Sequence, residues 1–342
     1  MEIGVAALGG DSCGVGPSIV GPVGLSATTT RRRPAGNRGQ GAAARARGCH
    51  DHAMTAVSGF GVGWRPELAA VLADRTDLGF VEVIAEHLPL RAVARPAPTD
   101  LGVPVVAHGI GLSLGGAERP DPARLRRLAD VAQALGSPLV SEHVAFVRAG
   151  GTEAGHLLPI PYSRDALDVL VANVRIACEQ LPVPLALENP AALARWPDDE
   201  LSPADFLAEL VERTDALLLV DVANFHGDTI NHGLDPAATF DRLPWERVAY
   251  LHVAGGVMRD GRYHDTHLHP VGPGQLALLA EAVSRFPPSR PAAYLFERDG
   301  SYPPVAEFHA ECDRVQAAAS GQRTRARGPG GHRRTGAVRD DG

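Results

Sequence analysis

The sequence predicts a (β/α)8 barrel, and three observations carry that reading. Short runs rich in leucine and β-branched residues alternate with amphipathic stretches, there are eight such runs, and they extend from about Gly59 to Asp299, close to the roughly 250 residues usual for this barrel. A doubly wound open sheet uses the same alternation and is the structural alternative. At 44% hydrophobic over 342 residues, the chain has enough apolar surface for one large core with tails to spare.

The elements follow in order. "GFGVGW" opens the series at Gly59, and "GFVEVIAEH" follows from Gly79, closing on Glu86 and His87. "VPVVAHGIG" carries His108 at its end. "DPARLRRLADVAQALG" then reads as a helix, with Asp121 as N-cap, Pro122 in the first turn and Gly136 as the stop. "PLVSEHVAF" is the fourth run, with Glu142 and His143. In "SRDALDVLVANVRIACEQL", Ser163 is placed to cap a helix whose apolar face runs through Leu167, Leu170, Val171 and Val174. "PLALENP", "ALLLVDVANFH", "VAYLHVAGG" and "AAYLFERD" complete the eight.

The flanks read differently. Residues 1–53 are Gly- and Arg-rich without periodicity and are expected to be disordered, as is the Arg/Gly-rich tail 320–342. The apolar stretch near the amino terminus precedes the arginines and is broken by Gly and Pro, so it is not expected to be a signal peptide, and Met54 is the expected start of a barrel domain over 54–319. All 33 basic residues are arginine, which we read as the coding bias of a GC-rich genome. The two flanks hold twelve of those arginines and five of the 40 acids, leaving 21 against 35 and a net charge of −14 for residues 54–319. An acidic body argues against a nucleic-acid partner. No run approaches the roughly 20 apolar residues that span a bilayer, so no membrane association is expected. Cys13, Cys49, Cys178 and Cys312 show no CxxC spacing, which disfavours a disulfide framework or a thiolate zinc site and fits a reducing cytoplasm. Cys178 and Cys312 fall in core-like helical positions and are read as structural.

In a parallel barrel the carboxyl ends of the strands and the loops after them form the active face. Here those ends carry Glu86 and His87, His108, Glu142 and His143, Glu188 and Asn189, Asp221 with Asn224 and His226, His252, and Glu297. The loop after the seventh run adds "RYHDTHLHP", with His264, Asp265, His267 and His269. One histidine at a strand end is more often a hydrogen-bonded core or surface residue than a ligand. Convergence decides the matter, because several carboxylates buried together are prohibitively costly unless cations or protons neutralise them.

Imidazole and carboxylate without thiolate suit Fe, Mn, Zn or Co. A set larger than the roughly six donors of one ion suits two or three metals with bridging carboxylates. The expected metal set is His108, His143, Glu188, Asp221, His252, Asp265, His267 and Glu297. Glu86, His87, Glu142, Asn189, Asn224, His226 and His264 stand beside it, as further donors or as residues that orient donors. His156, His232, His269 and His309 read as surface or hydrogen-bonding residues.

The ordered motifs "GVGWRPEL", "FVEVIAEH", "AHGIGLSLGG", "LVSEHVAF", "HLLPIPYSRDAL", "LALENP", "LLLVDVANFHGDTINHG", "LHVAGG", "HDTH" and "LFERDGSYPP" run from about Gly61 to Pro304. Their series resembles the DUF692 or UPF0276 family of multinuclear non-heme iron-dependent oxidases, which includes the methanobactin maturase. The resemblance implies a xylose-isomerase-like barrel holding two or three irons. It also implies an enzyme that uses O2 to modify a ribosomally made precursor peptide, commonly at cysteine, with a small partner protein that recruits the peptide.

Carried over, the family's "HG" histidine is His108, the histidine of "S[DE]H" is His143, and the "LEN" carboxylate is Glu188. The "DV" aspartate is Asp221, the histidine of "H-x-AG" is His252, "DTH" supplies Asp265 and His267, and the last strand supplies Glu297. Glu188 is then expected to bridge two irons. The chain departs from the family where "EN" becomes Glu86–His87, "DVNN" carries Ala223, "AGH" carries Gly256 and "EWD" carries Arg298. Arg298 is a candidate contact for a peptide carboxylate, with a surface salt bridge as the favoured alternative.

Three rivals share the barrel. A metal-dependent sugar isomerase or epimerase would turn over without O2. An apurinic endonuclease with a trinuclear zinc cluster is disfavoured by the acidic body. A non-catalytic peptide carrier is disfavoured by the intact carboxylates, which destabilise a fold that has no use for them.

Overall fold

Eight parallel strands close on themselves in this structure, a computed structural model that describes residues 57–88 and 97–321. The strands in chain order are β1 (Gly59–Gly63), β2 (Phe80–Ile84), β3 (Val105–His108), β4 (Val140–His143), β5 (Ala145–Ala149), β6 (Thr152–Pro159), β7 (Leu185–Glu188), β8 (Leu217–Asp221), β9 (Val248–Ala254), β10 (Val257–Arg259), β11 (Arg262–His264) and β12 (Ala293–Glu297). The ring runs β1-β12-β9-β8-β7-β4-β3-β2. Because β1 pairs with both β2 and β12, the sheet has no edge, and the open-sheet alternative is excluded. The eight runs read from the sequence are these eight strands. The expectations for residues 1–53 and for the tail beyond Gly321, including a start at Met54, lie outside the described residues.

The described helices are α1 (Ala69–Ala73), α2 (Pro122–Leu135), α3 (Arg164–Gln180), α4 (Pro203–Glu212), α5 (Val222–His232), α6 (Pro236–Phe240), α7 (Pro273–Ser284) and α8 (Val305–Ala319). The caps read from the sequence are formed. The Asp121 carboxylate accepts from Ala123 N and Arg124 N, Gly136 ends α2 at φ +63°, and Ser163 accepts from Ala166 N. A left-handed φ costs a side chain about 1–2 kcal/mol, so glycine is the residue that stops α2 cleanly. Among the described residues no helix is long and apolar enough to cross a membrane.

Side chains alternate in and out along a strand, so each barrel strand sends every second residue to the interior. The lower interior is apolar, with Phe80, Val106, Leu139, Ala186, Leu219 and Leu295 all buried. Two residues further along the same strands stand Glu82, His108, Ser141, Glu188, Asp221 and Glu297. The larger apolar cluster lies between strands and helices, where Leu125, Leu128, Leu167, Leu170, Leu207 and Leu210 cover the outer face.

Two hairpins beyond the eight-run pattern rise above the carboxyl rim, β5–β6 after β4 and β10–β11 after β9. Each turns through a two-residue loop with both φ positive, Gly150–Gly151 (58°, 78°) and Asp260–Gly261 (50°, 75°). That is the backbone of a type I′ turn, and "GG" and "DG" are its sequence signals.

Candidate metal centre

Five of the expected donors are the last residues of their strands: His108 on β3, His143 on β4, Glu188 on β7, Asp221 on β8 and Glu297 on β12. Register sets them side by side. His143 pairs with Glu188 across β4–β7, Asp221 pairs with His252 across β8–β9, and His252 pairs with Leu295, two residues before Glu297, across β9–β12. Asp265 and His267 reach the same rim from the loop after β11, with His267 held at φ +56°.

The structure brings all eight expected donors together. Four groups place one donor atom per residue within 4.8 Å of one another: His108–His143–Glu188; Glu188–Asp221–His252–Glu297; Asp221–Asp265–His267; and His267–Glu297–Asp299. The links are close. His143 Nε2 lies 3.3 Å from Glu188 Oε2, and His252 Nδ1 lies 3.3 Å from Glu188 Oε1 and 3.1 Å from Glu297 Oε2. His267 Nε2 lies 2.6 Å from Asp265 Oδ2.

These residues fit a cation. Glu188 Oε2, Asp221 Oδ2, His252 Nδ1 and Asp265 Oδ1 are buried without a hydrogen-bond partner, a cost that coordination removes. Asp221 divides its labour: Oδ1 caps α5 by accepting from Ala223 N (2.6 Å) and Asn224 N (2.9 Å), which leaves Oδ2 facing the other donors. The ionisation pattern agrees. Burial by itself would lower the imidazoles of His143, His252 and His267, yet Glu188, Glu297 and Asp265 beside them raise all three. Burial would raise Glu188 and Glu297, yet His252 holds both well below the usual carboxylate range. Asp221 goes the other way, raised by burial and then by Asp265 and Glu188. Positive charge is thus drawn into the carboxylate cluster as protons, which a bound metal displaces.

Beneath the donors runs a buried hydrogen-bond chain through a residue the motifs did not single out, Glu82. Glu82 Oε2 accepts from the Tyr250 hydroxyl and lies 3.2 Å from His252 Nε2. Tyr250 Oη is also 2.8 Å from Ser141 Oγ, which is 2.8 Å from His108 Nδ1. A carboxylate only accepts and each hydroxyl carries one proton, so the order is set. His108 Nδ1–H donates to Ser141, Ser141 to Tyr250, Tyr250 to Glu82, and His252 Nε2–H to Glu82. His108 Nε2 and His252 Nδ1, the nitrogens left outside this hydrogen-bond chain, then face Glu188 from two different donor groups, and loss of the proton on His252 would leave its nitrogen as a metal donor. Glu82 was legible as an acid in the middle of an apolar strand, at the inward position two residues after Phe80.

The neighbouring candidates stand outside the donor groups. β2 ends at Ile84, and the 3-10 turn Ala85–His87 breaks the alternation, leaving Glu86 and His87 exposed. Glu86 accepts from Ile110 N instead. Glu142 accepts from Leu112 N (2.9 Å) and lies 3.4 Å from His143 Nδ1, at ion-pair distance without a hydrogen bond to that nitrogen. Asn189 exchanges two hydrogen bonds with the Asp221 backbone and aligns β7 with β8. Asn224 donates to Asn189 O and leaves its own buried Oδ1 without a partner beside the donors. His226 packs edge-on against Tyr263 with ring centroids 5.1 Å apart, and His264 pairs with Val257 in the β10–β11 hairpin.

Arg298 forms the salt bridge expected as its alternative role, but buried and not at the surface. It is buried, and it donates to Gly300 O (3.0 Å) and Ser301 O (2.7 Å) and pairs with Glu311 on α8 (3.5 Å). It therefore secures the last loop, with its guanidinium engaged there and on α8. The arginine beside the donors is Arg65, whose Nη2 lies 2.5 Å from Asp299 Oδ1. Asp299 in turn lies 3.1 Å from His267 Nδ1. Neither was singled out, since β1 and the last strand are remote in sequence and meet only on closure.

A cavity of about 330 Å³ opens onto Glu188, Asp265, His267 and Asp299. A larger one of about 550 Å³, lined by Cys178, Leu185 and Asp215, lies at the opposite end of the strands and touches none of the donors. Burial raises the Cys178 and Cys312 thiols to about 12, so neither is a ready nucleophile.

Comparison with known proteins agrees with this geometry. Among solved structures, the barrel is similar to 3-keto-D-glucoside 4-epimerase from E. coli, with a TM-score of 0.51 at 13% identity over 76% of this chain and 99% of that one. It is also similar to endonuclease IV from Thermus thermophilus, with a TM-score of 0.50 at 19% identity over 77% and 99%. At such identities the likeness concerns the xylose-isomerase-like fold alone. A UPF0276 protein of Streptomyces avermitilis is 50% identical over 283 residues; the match takes in 78% of this chain and 56% of that protein, little more than half its length. A UPF0276 protein of Caulobacter vibrioides is 35% identical over 265 residues, 76% of this chain and 93% of that one. The family model described as RiPP precursor modification enzyme MbnB/TglH/ChrH matches residues 59–320, which span the whole barrel and every expected donor, and this chain belongs to that family.

Proposed function

We propose that this chain is a multinuclear non-heme iron-dependent oxidase that uses O2 to modify a ribosomally synthesised precursor peptide, commonly at cysteine, in the cytoplasm and with a small partner protein that recruits the peptide. One observation carries the multinuclear reading: Glu188, Asp221, His267 and Glu297 each belong to two donor groups. Three of these four are carboxylates, which could serve more than one ion, whereas a mononuclear isomerase needs one group of about four. His108, His143 and Glu188 would hold one iron, and Glu188, Asp221, His252 and Glu297 a second. Asp221, Asp265 and His267 would hold a third.

Bound iron would supply O2 activation and would lower the pKa of a coordinating substrate thiol. The rest falls to the chain. His252 and Asp221 are fully buried, which keeps water from the inner donors, while His267 is 19% exposed and marks where a substrate meets the centre. Asp299, clamped by Arg65, lies against the outer nitrogen of His267 and keeps a proton acceptor at that entrance. Metal content by plasma mass spectrometry with a Mössbauer spectrum, on anaerobically purified protein, tests the reading. Two or three spin-coupled irons per chain are expected. A single zinc, manganese or magnesium, or no iron after reconstitution, would overturn it in favour of the epimerase or carrier class.

A further inference from the structure

Beside the donors, a second cavity of about 360 Å³ lies between the two hairpins that rise above the rim. One wall is Leu157 and Leu158 of β6, and the other is Tyr263 of β11. The floor is the loop after β7, where Ala191, Ala192 and Ala194 leave space that larger side chains would fill. Its inner end is Asn224 and Asp265, and it shares Leu157, Ala191, Asn224 and Asp265 with the cavity over the metal donors. The two cavities therefore form one trough, and a molecule lying in the outer part reaches the centre.

The chemistry of the trough narrows its occupant. Among the described lining residues Asp265, at the inner end, is the one carboxylate and none is an arginine; His156 and His264 supply imidazoles, and Leu157, Leu158, Ala191, Ala192, Leu193 and Ala194 leave most of the outer part apolar. Apolar surface continues outward: Leu193 is 45% exposed, Trp196 43%, and Met258, opposite Tyr263 in the hairpin, 53%. Leu193 lines the cavity, and Trp196 and Met258 follow on the same loop and hairpin; exposed apolar residues beside a cavity suit a binding surface.

The floor is also held in place before anything binds. His232 Nε2 meets Ala192 O at 2.8 Å, Arg262 donates to Leu193 O, Arg195 pairs with Asp228 at 2.9 Å, and Trp196 Nε1 donates to Pro159 O at 3.0 Å. Four side chains thus fix a loop that would otherwise have to be ordered by the ligand.

We propose that this trough is the specificity subsite of the enzyme, taking an apolar side chain of the substrate peptide adjacent to the residue that reacts. The proposal rests on the peptide-oxidase reading and adds to it which neighbour of the reacting residue is selected. Substrates with leucine-like or aromatic residues flanking the reactive position are preferred over those with polar flanks.

The test uses the full chain, loaded with iron, and two blocked tripeptides, acetyl-Leu-Cys-Leu-amide and acetyl-Ser-Cys-Ser-amide, with binding followed by NMR titration. Partial burial of a leucine side chain predicts about tenfold tighter binding of the leucyl peptide. Ala191→Trp, at an exposed floor position, fills the trough, and Leu193→Asp reverses the character of its rim. Each is expected to cut the preference to about twofold or less with metal content unchanged. Equal binding of the two peptides by the parent protein, no binding of either, or a preference that survives Ala191→Trp overturns the subsite. The two readings fail separately: a protein that takes up no iron yet keeps the trough-dependent leucyl preference retains the subsite and loses the oxidase. An iron-loaded, O2-consuming protein without that preference loses the subsite alone.

Discussion

Replacing Tyr250 by phenylalanine removes one oxygen atom from the buried chain that ties His108 to His252. The ring stays, and so does its packing against Phe80, with centroids 5.7 Å apart. What is lost is the partner of the Ser141 hydroxyl and one of two partners of Glu82 Oε2, at residues 0% and 1% exposed. A buried polar group left unpaired costs about 1–3 kcal/mol; Glu82 Oε2 keeps His252, so the unpaired Ser141 hydroxyl predicts a loss of roughly 1–3 kcal/mol in the metal-free protein. Because the chain sets which nitrogen of each imidazole faces Glu188, the variant also loses orientation at two donor groups together. Losing such a partner typically lowers metal affinity by about 10- to 100-fold. Urea unfolding of the metal-free protein and anaerobic iron(II) titration of the folded protein read the two effects. A Tyr250→Phe protein with iron affinities unchanged at both groups, and stability within about 0.5 kcal/mol of the parent, would refute the chain as an orienting device.

Two further outcomes follow from the same geometry. Glu188→Ala removes a donor from two groups and should lower metal content by about two equivalents per folded chain, whereas His143→Ala should lower it by about one. Equal losses in elemental analysis would argue against a shared carboxylate. Away from the centre, burial raises the Asp228 carboxyl from 3.8 to about 6 despite Arg195. A folded pKa above the unfolded one means that its contribution is complete below about pH 3.8 and is lost as pH rises through about 6. Asp228→Asn should therefore gain on the parent by up to about 3 kcal/mol between pH 4 and 7 in urea titrations. Parallel stability curves over that interval would contradict the burial argument.

Much of the centre was legible because two local rules coincide in it. Apolar runs end where a strand leaves the barrel, and polar residues at those ends have one common destination. His108, His143, Glu188, Asp221 and Glu297 could be picked out from that alone, and "HDTH" added Asp265 and His267. The rule failed at Glu86 and His87, because a 3-10 turn rotates side chains out of the strand's alternation. It failed at Glu82 because the rule looks at strand ends, while this acid lies inside β2 and is tolerated only through Tyr250 and His252 across the barrel.

The sequence by itself determined the class of fold, the eight strands, the helix caps and most of the residues that gather as candidate donors, since these depend on periodicity and on residues near one another in the chain. Tertiary structure alone decided which candidate donors fall into common groups, which way Arg298 points, that Arg65 and Asp299 meet beside His267, and that two hairpins enclose a trough beside the candidate centre. Those depend on register and closure. Arg65 and Asp299 are 234 residues apart in the chain, and only pairing of the first strand with the last, with its one fixed register, brings their side chains within hydrogen-bonding distance.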